Sequence, residues 1–181
     1  MKLLLPCAFL VLSFTASAQQ PVGVPDILQN LASERATHTA FTFDRDMLQS
    51  ADGIIGQGIG ALNSVTVENY HYHEPAFYIP ESMASLSAAY NAAGWKHLVN
   101  QHPGPRDAAA PPKPLTDLWL HFNGPEIDNV MVLIRAPKQM SVIEVSGALR
   151  PLDLVHLGGH FGIPKVDPDA VMGNAPPPPP Q

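Results

Sequence analysis

Between two turn signals, Gly124-Pro125 and Ala136-Pro137, runs the segment Asn129 to Arg135, whose inner stretch Val130-Met131-Val132-Leu133-Ile134 is apolar at every position. A strand shows successive side chains to opposite faces, so a strand with no polar face has water on neither side. This segment must be an interior strand of a layered body. Its neighbours, Asp117 to Asn123 and Met140 to Ser146, also read as strands, and the short turns between the three make them an antiparallel meander.

Upstream, Val65 to Glu74 alternates cleanly, with Val65, Val67, Asn69, His71 and His73 on one face and Thr66, Glu68, Tyr70 and Tyr72 on the other. Thr39 to Phe43 alternates in the same way, and Trp95 to Val99 reads as a further strand. Helical spacing recurs at Ile27, Leu28 and Leu31 within residues 25–35. It recurs from Asp44 through Met47, Ala51, Ile54 and Leu62, despite Gly53, Gly56, Gly58 and Gly60. Pro80 suits the first turn of a helix through Met83, Leu86 and Tyr90, and Gly94 suits its left-handed stop. Leu149, Leu152 and Val155 form a last helical stripe, halted by Gly158-Gly159. The expected fold class is α+β: one domain with an antiparallel sheet of about five strands, mainly from residues 62–147, and helices packed mainly on one face.

The chain start limits where this body is found. Met1-Lys2, an apolar run from Leu3 to Phe14 and Ala16-Ser17-Ala18 have the form of a signal peptide over residues 1–18. The run is shorter than the roughly 20 residues of a spanning helix, so cleavage is expected in preference to a retained anchor, with no membrane span afterwards. The expected location is periplasmic or extracellular. Cys7, the one cysteine, lies inside that segment, which removes disulfides and thiolate chemistry from the mature chain. The domain is placed at residues 25–165, with a Pro/Ala-rich loop at 101–114 and a disordered Pro-rich tail at 166–181. Lys and Arg number 10 against 16 Asp and Glu, and a formal charge of −6 argues against a nucleic-acid partner.

Several stretches in this order resemble a known family. They are Asn63-Ser64-Val65-Thr66-Val67-Glu68-Asn69-Tyr70, Gly94-Trp95-Lys96-His97-Leu98-Val99, Met140-Ser141-Val142-Ile143-Glu144-Val145-Ser146-Gly147 and Leu157-Gly158-Gly159-His160-Phe161-Gly162-Ile163-Pro164. Together they are similar to the bacterial domain-of-unknown-function family 4252, over residues 25–165. The resemblance implies a small exported or lipoprotein-like α+β domain and brings no activity with it. This chain departs from the family in having no lipobox and in its Pro-Ala insertion at 103–114, which bears on anchoring and not on fold.

Candidate chemistry is sparse. His71 and His73 stand at i and i+2 on one strand face, and with His121 from a neighbouring strand they would make a three-ligand metal site. The ordinary alternative is imidazoles at the wet end of a strand. His156 and His160 have helical metal-pair spacing, but Leu157 stands where a metalloprotease needs glutamate, and the glycines between them point to a helix end. Gly53 to Gly60 has neither the Gly-Lys of a phosphate loop nor a preceding strand, so close helix packing is expected. No Gly-x-Ser-x-Gly elbow occurs. Among the carboxylates Glu74, Glu81, Glu126, Asp128 and Glu144, the last lies in an otherwise apolar strand, and the expectation is that it points to solvent from a half-buried sheet. A hydrolase would need two of them within catalytic distance. Trp95, Trp119, Tyr70 and Tyr72 are expected in the core, with an adhesive surface as the alternative.

These readings assign no catalytic residue and no cofactor. The function expected is a non-catalytic envelope or periplasmic domain acting through contact with a protein partner not identified by the sequence. The alternative is a metal-binding protein using His71, His73 and His121.

Overall fold

The computed structural model describes residues 20–55, 59–99, 114–161, 163 and 165. The signal segment with Cys7, the Pro/Ala-rich loop apart from Pro114, and the tail at 166–181 lie outside the described residues. Among the described residues six strands form one antiparallel sheet: β1 (Ala36–Phe43), β2 (Leu62–Tyr72), β3 (Lys96–Val99), β4 (Leu115–Asn123), β5 (Glu126–Ala136) and β6 (Gln139–Leu149), in the order β1-β2-β6-β5-β4-β3. The fold is mixed α+β, with one strand more than the count from sequence, because Ala36–Phe43 joins the sheet as its outer member. β4, β5 and β6 are the expected meander. Gly124, at φ 64°, makes the first of its turns in the left-handed region that glycine enters without strain.

β5 lies inside the sheet, and Val130 to Leu133 are all buried. Side-chain alternation divides their burial between two cores. One face carries Val65, Val130, Val132, Ile143 and Val145. It is covered by Leu48 of α2 (Arg45–Ile55) and by Leu154 and Leu157 of α4 (Pro151–Leu157). The opposite face carries Tyr70, Tyr72, Met131, Leu133 and Val142. Its cover is Val24 and Leu28 of α1 (Val24–Gln29) and Leu86 and Tyr90 of α3 (Pro80–Ala92). Helices therefore flank both faces instead of mainly one. The physical reason is already in β5, whose two apolar faces each need a layer to exclude water.

α3 shows how local sequence sets this packing. Pro80 occupies its first turn, and Leu86 and Tyr90, four residues apart on one stripe, are both 0% exposed. Gly94, at φ 86°, ends it: its N–H bonds Asn91 O at 3.0 Å, and Trp95 N–H bonds Tyr90 O at 3.0 Å. That double closure is a Schellman motif, which typically brings the residue after the glycine back against the last turn. Trp95 accordingly meets the Tyr90 ring edge-on at 4.9 Å. On the other face a short 3₁₀ turn, Ile59–Ala61, crosses so close to β6 that a Cβ at Gly147 would collide with the Ala61 carbonyl oxygen.

Candidate functional site

The three histidines proposed as metal ligands do not converge. His71 is on the α2/α4 side of β2, opposite in direction to Tyr70 and Tyr72, and is exposed; His73 lies just beyond the strand and is also exposed. His121 is on β4, facing the α1/α3 side with Trp119. Its Nδ1 is 2.6 Å from Asp128 Oδ1, and its ring is 5.4 Å from Trp95. β6 and β5 separate β2 from β4, so His121 stands three strand spacings, about 14 Å, from the His71 strand and on the other face. No ion spans that gap. Among the described residues no group of three or more His, Cys, Asp or Glu side chains is placed to hold a metal ion. His156 closes α4 and His160 follows it beyond Gly159 at φ 94°, so the two do not share a helix face. Trp95, Trp119, Tyr70 and Tyr72 are all buried, which removes them as an adhesive surface. Gly60 has nothing within 4 Å of where a Cβ would stand, so close packing is not its reason.

Two features do stand out. The first is the outer edge of β1. Six of its eight residues are exposed, it contains no Lys, Arg, Asp, Glu or Pro, and among the described residues only β2 pairs with it. Edge strands are ordinarily blunted by charge, proline, bulges or brevity. The opposite edge, β3, follows that rule, with four residues beginning at Lys96. Beside β1 on the α2/α4 face lies a groove of about 330 Å³ lined by Thr39, Phe41, Phe43, Val67, Asn69 and Phe161. Phe41 is 51% exposed and packs edge-on against Phe43 at 4.7 Å, which in turn meets Phe161 at 5.5 Å. A second hollow of about 360 Å³ continues the groove past Ser141, Ile143 and Ile134 to Pro114. Among the described residues α2 and α4 cover the other half of this face, through Leu48, Leu154 and Leu157.

The second is a polar layer under α3. Glu144 was expected to face solvent; it is half-buried, projecting from β6 onto the α1/α3 face between Met131 of β5 and Thr66 of β2. Burial, with Glu68 nearby, pushes its carboxyl up to about 7. Its Oε1, the Tyr90 hydroxyl, Trp119 Nε1 and Asn129 Oδ1 are buried with no hydrogen-bond partner among the described residues. Tyr90 stacks on Trp119 at 5.2 Å, and Trp119 stacks in turn on His97 at 4.4 Å. Glu68 differs in its surroundings: its Oε2 accepts from the Tyr70 hydroxyl at 2.8 Å and from His38 Nε2 at 2.9 Å. Nearer β3, Asp117 receives His97 Nε2 at 3.1 Å and Arg135 Nη2 at 2.7 Å. Burial alone would raise the Asp117 carboxyl, but these two donors hold it below its ordinary value.

The Glu144 signal was present in the sequence as a carboxylate within an apolar strand. The β1 edge was legible only as an uncharged alternation at Thr39 to Phe43, without any sign that it would end the sheet. Protein-family models, curated proteins and solved structures provide no match to this chain. Among the described residues no helix is long and apolar enough to cross a membrane.

Proposed function

We propose that this chain is an exported, non-catalytic domain that acts through protein contact, and that it takes up an extended segment of a partner polypeptide as a seventh strand along β1. The observation that carries the reading is the eight-residue outer edge of β1, free of Lys, Arg, Asp, Glu and Pro, beside the Phe41 groove. Strand addition satisfies the edge N–H and C=O groups, while alternate side chains of the incoming segment supply specificity. A segment with an apolar residue opposite Phe41 fits, because covering the exposed half of that ring contributes ~1–2 kcal/mol. The leader-like start and the resemblance to an exported family support the location. The dispersal of the histidines speaks against the metal-binding alternative.

The test is selection of displayed ten-residue peptides on the intact protein. The recovered peptides should carry alternating apolar residues. Thr39→Lys with Phe41→Lys should weaken their binding at least about tenfold, since lysines guard natural edges, whereas Glu81→Lys, at an exposed position of α3, should leave it unchanged. Peptides that bind the lysine variant as well as the wild type would contradict the proposal. So would a wild-type dimer that the same lysines dissociate, because a second copy would then occupy the edge.

A further inference from the structure

We infer that Glu144 is a proton-operated latch for α3: protonated, it rests beside Glu68 beneath Tyr90; ionised, it sets two like charges against each other under the helix and loosens it. The register pairs Glu68 with Val142 and Thr66 with Glu144, so the two carboxylates are diagonal neighbours on one face of adjacent strands. Diagonal neighbours lie roughly 7–8 Å apart, within reach of long side chains.

Their surroundings assign the charge. Glu68 accepts two hydrogen bonds at Oε2, from the Tyr70 hydroxyl and from His38 Nε2, which hold its carboxylate in place. Glu144 has no such donor at Oε1 among the described residues, and it is the group pushed up by burial. From α3, Tyr90 is the titratable group on this face; the residue is 0% exposed, its hydroxyl is buried without a partner among the described residues, and it feels the charge of both carboxylates. From β2 the titratable groups facing Glu144 are Glu68 and Tyr70, and from β5 its neighbours Met131 and Asn129 bring no charge. Arg135, farther along the same face, is engaged by Asp117. Among the described residues the ion pairs of this face are His38–Glu68, His97–Asp117 and Arg135–Asp117, none of which includes Glu144, so ionisation leaves its charge to act on Glu68 and on the helix above.

The experiment is a carboxyl-carbon NMR titration of the full chain, with amide exchange of α3 measured alongside. Glu144 should titrate near neutrality, and Glu68→Gln should lower its midpoint. After correction for intrinsic exchange, protection of the α3 amides should fall on the order of tenfold between about pH 5.5 and about pH 8. Glu144→Gln should abolish that fall. A Glu144 midpoint in the ordinary carboxylate range would overturn the inference, even if the Gln variant fails to fold. So would α3 protection that is independent of pH in the wild type, or that declines equally in the variant.

Discussion

Replacing Arg135 with methionine tests how the β3 side of the sheet is held. Asp117 has a side chain only 13% exposed and is bonded on one oxygen by Arg135 and on the other by His97. Arg135→Met keeps most of the packing volume but leaves a largely buried carboxylate with a single partner. Breaking a fully buried pair costs about 3–5 kcal/mol. The retained His97 contact and the residual exposure bring the expected loss to about 2–3 kcal/mol at pH 7. The sign with pH follows from the native carboxyl lying below its unfolded value. The stabilisation it contributes is present above the unfolded pKa and lost as pH falls through the folded one. The penalty of Arg135→Met should therefore shrink when Asp117 is protonated. Adding Asp117→Asn should recover stability to within about 1 kcal/mol of wild type, since no buried charge then remains. Urea unfolding at neutral and strongly acid pH measures both effects. A loss under about 1 kcal/mol at pH 7, or one that is equal at the two pH values, would refute the reasoning.

Other substitutions give further checks. Gly147→Ala should destabilise by about 2–3 kcal/mol because the methyl meets the Ala61 backbone, whereas Gly60→Ala, with open space at its Cβ, should be neutral or slightly stabilising in the same urea titration. Gly94→Ala forces a side chain into the left-handed region at φ 86° and should cost about 1 kcal/mol in thermal unfolding. Glu144 binds its proton more tightly folded than unfolded, so its contribution is fully present below its unfolded pKa and diminishes as pH rises toward 7. Raising its carboxyl from 4.5 to about 7 corresponds to at most ~3 kcal/mol of pH-dependent stability, which Glu144→Gln should flatten in unfolding measured across that window.

The sheet was largely legible because its signals are local. Alternation in Val65–Tyr72, the doubly apolar Val130–Leu133 and the Pro80 and Gly94 boundaries each follow from the backbone geometry of a few residues. The first helix ends at Gln29, short of residue 35, because the chain turns there so that Ala32 can bridge to Tyr78. No local pattern records that partner. Strand order is equally non-local: β2 pairs with β6 across some 80 residues of sequence. His71 and His121 looked compatible only while the two strands between them were unknown. That Glu144 is half-buried was not legible for a related reason, since how much water a β6 residue meets depends on which helix covers which face. The doubly apolar β5 already required cover on both sides, and following that requirement through would have placed helices on each.

The central claim is that β1 receives a strand. Amide exchange of the intact protein with and without a selected peptide tests it directly. The account predicts new protection at alternate amides between Ala36 and Phe43, those facing away from β2, together with little change on α3. Protection gained elsewhere, or a β1 edge whose outward amides exchange equally fast with peptide bound, would contradict it.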